Sequence, residues 1–110
     1  MTARIYVPTD LDGLALLVDE QLLPPSPEAV VAPDDDEETE YAALMTAAAS
    51  CPDPSRRVVV VAEVADPDGP VRLDQVVAVH ADAAARAPGA DPDDDLSWFA
   101  IPEIALLLGR

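Results

Sequence analysis

Arg57-Val58-Val59-Val60-Val61-Ala62-Glu63-Val64 is the stretch on which the fold turns. Four consecutive valines without polar alternation ask for cover on both faces, as in a central strand. The run is far too short to span a bilayer, which takes about 20 apolar residues, and no longer one exists in the chain. The prediction is a sheet built around residues 57–64, with every other element placed by reference to it.

Downstream, Asp66-Pro67-Asp68-Gly69-Pro70 is a turn by composition. Residues 71–73 begin a return strand, Asp74-Gln75 kinks it, and residues 76–81 (Val-Val-Ala-Val-His-Ala) run antiparallel to the valine strand. Residues 82–87 read as a helical turn and residues 88–94 as a polar loop with two prolines. A last helix is expected from about Asp95, with Trp98, Ile101, Ala105 and Leu108 as its buried stripe. Pro102 must kink or split that helix, because the residue before a proline resists the helical region.

Upstream, residues 3–7 (Ala-Arg-Ile-Tyr-Val) form a first strand that ends at Pro8. Thr9-Asp10-Leu11-Asp12 fits a helix start with Thr9 as the cap. Leu11, Leu14, Ala15, Val18 and Leu22 share one face of that helix, which must stop before Pro24-Pro25. Residues 28–32 make a second, shorter strand. A second helix covers residues 37–49, with Tyr41, Leu44, Met45 and Ala48 buried. The order is βαβαββα. It predicts an α/β (α+β) fold: a mixed four-stranded sheet with about three helices packed on it and right-handed crossovers between parallel strands.

The chain has 110 residues, half of them apolar, which suits a single globular domain over residues 1–110 and argues against disorder. There are six arginines, no lysine and 22 acidic residues, for a formal net charge of −16. Ten of those acids lie in two runs, Asp34-Asp35-Asp36-Glu37-Glu38 with Glu40, and Asp91 with Asp93-Asp94-Asp95. Set those ten against the −16 and only six negative charges remain, an ordinary figure for a small domain. The only basic cluster is Arg56-Arg57, so direct binding of nucleic acid or of an anionic membrane is not expected. The first run lies at a helix start, where acids meet the positive end of the dipole.

Cys51 is the lone cysteine, so there is neither an intramolecular disulfide nor a thiol metal cluster, and the expected location is cytoplasmic. His80 is the lone histidine. In a strand, His80 and Asp82 share a face, so a His-x-Asp pair could give a general base with its orienting acid, or half a metal site. No serine lies in a Gly-x-Ser-x-Gly context. The loop at Asp66 lacks calcium-loop spacing: Pro70 and Val77 stand where ligands belong. Nucleotide binding has no glycine-rich loop and no P-loop lysine.

Several segments together resemble a family of small, acidic actinobacterial proteins that carries no assigned activity. They are Arg4-Ile5-Tyr6-Val7-Pro8-Thr9, the acidic run leading into Glu40-Tyr41-Ala42-Ala43-Leu44, and Arg57-Val58-Val59-Val60-Val61-Ala62. Ala78-Val79-His80-Ala81-Asp82, Ser97-Trp98-Phe99-Ala100 and Glu103-Ile104 complete the set. The resemblance implies a domain of unknown function over nearly the whole chain and adds no chemistry.

The expectation is a small cytoplasmic protein-interaction or regulatory module without catalytic activity or cofactor, meeting a protein with a basic surface. Two alternatives stay open. One is a small enzyme or metal-dependent domain using His80 and Asp82; the other is a nucleic-acid mimic acting on a basic partner.

Overall fold

The computed structural model describes residues 1–110 and places the valine strand, β4 (Val58–Val64), at the centre of a five-stranded sheet. β1 (Ala3–Thr9) lies along one side of it, in register from Ala3 opposite Val64 to Thr9 opposite Val58. β6 (Val76–Ala81) lies along the other side. Short strands close both edges: β3 (Val30–Val31) against β1, and β7 (Ser97–Phe99) against β6. β2 (Leu22–Leu23) and β5 (Val71–Arg72) form a separate two-stranded ribbon. The helices are α1 (Leu11–Glu20), α2 (Glu37–Ala49) and α3 (Ile104–Leu107).

The α+β class and the three helices stand, but the sheet departs from the expected one. Every pairing is antiparallel and the main sheet has five strands, not a mixed four, so no parallel crossover exists. The fifth strand comes from the segment expected to open the last helix. Ser97-Trp98-Phe99 pairs with β6, Ile101–Glu103 form a 3₁₀ turn containing Pro102, and only four residues of α-helix follow. Aromatic residues favour a pleated surface, and a proline five positions on leaves too little helix to compete.

Smaller differences have local causes. β1 runs through Pro8 to Thr9, and β3 pairs with β1 only at Ile5 and Tyr6, so Pro8, although buried, has no strand on that side to miss its N–H. Asp10, not Thr9, caps α1, its carboxylate accepting the Gly13 N–H at 2.8 Å. That helix ends at Glu20 because Gln21 takes a left-handed conformation (φ 60°), which turns Leu22 outward and Leu23 into the core. Residues 82–87 make bends, not a helical turn.

In β4, Val58, Val60, Ala62 and Val64 face a core roofed by α1, α3 and the small ribbon. Val59 and Val61 face the opposite way, toward α2. That helix keeps its expected bounds, but its buried residues are Ala43, Leu44, Ala47 and Ala48, while Tyr41 is half exposed. Alanines let the helix axis sit close to the sheet, so the buried stripe settles one position round from the larger Tyr41 and Met45. In β6 the register slips opposite Val61 and Ala62, and Val77 is the extra residue. This bulge puts Val76, Val79 and Ala81 on the α1 side, and Ala78 and His80 on the α2 side.

Candidate functional site

The two faces of the sheet are not equally covered. α2 lies over β3, β1 and β4 and does not reach β7, so the β6–β7 end of its face stays open beside the helix. There the chain forms an open cleft of about 380 Å³. Tyr6, Val61 and Ala78, one from each of three neighbouring strands and directly opposite one another in register, make its floor. Glu37, Glu40, Tyr41 and Leu44 make the helical wall. Across from them stand His80 and Trp98, a directly opposed cross-strand pair.

Each lining residue has a local cause. Period-2 alternation in β1 sends Ile5 and Val7 to the closed core, and Arg4 and Tyr6 to the cleft side. Residues 37, 40, 41 and 44 follow one face of α2 at helical spacing. The bulge at Val77 turns His80 to this side. Trp98 is 59% exposed, the opposite of the core position expected for it on a helical stripe.

Charge is arranged unevenly round the cleft. Arg4 is consumed: its Nη1 donates to Glu40 at 2.6 Å and its Nη2 to Glu63 at 2.8 Å. Glu37 pairs with no cation. The Tyr41 hydroxyl donates to Asp95 at 2.9 Å, which joins the second acidic run to the helix that the first run opens. That bond raises the Tyr41 pKa, with Asp95 and Asp93 adding their negative charge. Burial raises the Tyr6 pKa and Glu40 pushes it the same way. Burial also holds His80 below its ordinary value, so the imidazole is neutral at pH 7.

His80 and Asp82 do not come together. Asp82 lies just past the end of β6, and both of its oxygens belong to Arg57. Oδ2 accepts the Arg57 main-chain N–H at 2.8 Å and its Nε at 2.9 Å, while Oδ1 accepts Nη2 at 2.8 Å. Burial alone pushes the Asp82 carboxyl up, but the hydrogen bonds and charge of Arg57 outweigh it and the net direction is down. His80 makes no ion pair with it, and Ser97 alternates to the other side of β7 from Trp98. Cys51 is buried, which raises its thiol pKa, and its Sγ lies 3.2 Å from the Val58 carbonyl oxygen.

The one basic cluster in the sequence is likewise spent inside the molecule. Besides holding Asp82, the Arg57 guanidinium donates to the carbonyls of Pro92 at 3.1 Å and Asp94 at 2.9 Å. Arg56 donates to the carbonyls of Asp82 and Ala83, and Arg86 to those of Pro54 and Asp91. These arginines pin residues 82–94 against the end of β4 and so set where Asp95 and Trp98 stand. Several acids of the two runs also turn inward to main-chain N–H groups. Asp36 caps α2 through the Glu38 N–H at 2.9 Å, and Asp34 and Asp91 each close a turn of their own run.

Sequence reasoning singled out His80 and missed Arg4, Tyr6, Tyr41 and Trp98 as its neighbours. Two signals pointed to them. Arg4 and Tyr6 share a parity opposite to Ile5 and Val7, and Ser97-Trp98-Phe99 is richer in strand formers than in helix formers. No curated protein and no solved structure matches the chain. A family model does match it, over residues 3–108, and the chain belongs to that family, a family of unknown function (DUF6912).

Proposed function

We propose that this is an acidic, cytoplasmic protein-interaction module without catalytic activity, and that its contact face is the open half of the sheet around Trp98. The observation that carries the reading is the exposure of Trp98 in a cleft whose rim is acidic. Tryptophan and tyrosine are the residue types that anchor interfaces, because they cover much area at little cost in side-chain freedom. Here Trp98 and Tyr41 stand on opposing walls. The net charge of −16 favours encounter with a positively charged partner. With Arg56, Arg57 and Arg86 all holding the loop from within, the chain offers no basic surface to phosphate.

Two finer points belong to the same proposal. The lysine-free, acid-rich composition supports reading the family as small acidic actinobacterial proteins. The unpaired, buried Cys51 suits a reducing compartment.

Site-specific photo-cross-linking from a native lysate tests the reading. A photoreactive residue at Val77 beside the cleft should capture one discrete protein with a basic surface, and the same residue at Leu106 on the far side should not. Trp98→Ala in the Val77 bait should abolish the product. Equal products from both baits, or a product indifferent to Trp98, would overturn the proposal. A captured nucleic-acid-binding protein whose product is competed away by DNA would point to mimicry instead.

A further inference from the structure

The aromatic and acidic groups of the cleft are arranged for a particular kind of side chain. Trp98 and Tyr41 line the two walls of the cleft and Tyr6 its floor. A cation between aromatic faces is attracted by the negative face of each ring, most strongly by tryptophan. Three charged side chains line the same space: Arg4, Glu37 and Glu40. Arg4 and Glu40 neutralise each other at 2.6 Å, which leaves the Glu37 carboxylate as the surplus charge. His80, the remaining polar lining group, is neutral at pH 7 and so does not repel a cation. The site therefore has aromatic walls, one unpaired carboxylate and no free positive charge.

We infer that the cleft binds the guanidinium of an arginine side chain presented by the partner protein, stacked on Trp98 and paired with Glu37. This rests on the interaction reading above and names its ligand. Arginine fits better than lysine for three physical reasons. A guanidinium is planar and lies flat on an indole, it gives up its hydration more readily than an ammonium, and its forked donors match a carboxylate. A guanidinium already pairs with a carboxylate of the helical wall, since Arg4 donates to Glu40 at 2.6 Å as well as to Glu63 at 2.8 Å. The volume, about 380 Å³, is at the small end for ligand pockets, a size for one long side chain and not for an extended ligand.

The chain contains a single tryptophan, so its fluorescence reports this cleft alone. The full-length protein is titrated with N-acetyl-arginine methylamide, and separately with the lysine and citrulline analogues; citrulline keeps the arginine shape without the charge. The expected result is a saturable change in Trp98 emission with the arginine analogue. The lysine analogue should bind about threefold or more weakly, and the citrulline analogue should give no saturable change. Glu37→Gln should weaken the arginine analogue by a similar factor and lower thermal unfolding only slightly, since Glu37 is exposed and unpaired and its one structural role is as an acid in the first turn of α2.

Equal binding of arginine and citrulline analogues, or of arginine and lysine analogues, would overturn the inference, as would the absence of any saturable response. The two proposals fail separately. Cross-linking at Val77 without a response to the arginine analogue leaves a docking face and removes its ligand. A response to the arginine analogue without a cross-linked partner leaves the cation site and removes the interaction module.

Discussion

The two sides of β4 are built from the same residue type and meet different fates. Val58 and Val60 point into a core closed by two helices, a ribbon and the residues round Leu14 and Leu17. Val59 and Val61, equally buried, point into a layer roofed by one alanine-rich helix that stops short of the sheet edge. The second side leaves a cleft beside its helix with a tryptophan in it. One face thus closes the larger core, and the other carries the proposed contact site. The clamp of Arg57 on Asp82 joins them, because it sits at the end of the central strand and fixes the loop that delivers Trp98.

The largest effect should come from that joint. Both side chains are buried, and removing one member of a buried ion pair leaves the other charge uncompensated. Arg57→Ala is expected to cost about 3–5 kcal/mol in urea unfolding. It should also increase amide exchange through residues 82–95, whose Pro92 and Asp94 carbonyls lose their donor. A cost under about 1 kcal/mol would show that the loop is held by something else, and the link between the faces would be broken.

The comparison itself is tested next by paired truncations. Leu14 is fully buried in the closed core, so Leu14→Ala should cost about 2–5 kcal/mol. Leu44 lines the cleft wall, where water can fill the space that truncation leaves. Leu44→Ala should therefore cost less than about 2 kcal/mol in the same urea titration. Equal costs would mean that the α2 face is as tightly packed as the other.

Much of this asymmetry lies beyond reading from the residues alone, for identifiable reasons. The central strand was legible because four valines in a row have one structural explanation, and α2 was legible because its opening acids and its length agree. The helix-to-strand change at Ser97-Trp98-Phe99 was not, since i, i+3 spacing of Trp98 and Ile101 fits a helix until a neighbouring strand competes for the same backbone. What engages Asp82 is a non-local fact. Arg57, 25 residues away in sequence, takes both oxygens of Asp82, and no spacing rule within residues 80–82 could reveal it. The cleft was invisible for the same reason, as its walls come from β1, α2, β6 and β7 and meet only after the sheet has formed.

Acid should separate the clamp from the open face by pH. Asp82 has its folded-state pKa lowered below its ordinary value, so the unfolded chain binds the proton more readily than the folded one. Its contribution is fully present above the ordinary aspartate range of about 4 and is lost as pH falls through the depressed folded value. His80 follows the same sign, because its folded-state pKa is also lowered. Its neutral ring contributes fully above about pH 6.5, and stability declines as the unfolded histidine gains its proton below that. A urea midpoint followed from pH 8 to pH 3 should fall in two stages, with His80→Gln removing the upper one. Asp82→Asn would lower the whole curve and flatten the lower stage. Parallel midpoint profiles for the unmodified chain and His80→Gln between about pH 8 and pH 5 would show that His80 is solvated as freely in the folded state as in the unfolded one.

The smallest expected effect is the most informative about the open face. Trp98 is more than half exposed, so its large side chain contributes little burial to folding. Its strand partner His80 retains its main-chain pairing whatever side chain stands at position 98. Trp98→Ala should therefore cost about 1 kcal/mol, the scale of its cross-strand pairing with His80, as measured by circular dichroism. A core tryptophan would cost about 3–5 kcal/mol on the same substitution. The size of this one number separates the two roles directly. A small shift leaves a tryptophan held in water by the fold for a purpose other than stability, while a large one would place Trp98 with Leu14 and Val60 as part of the core and dissolve the distinction between the faces.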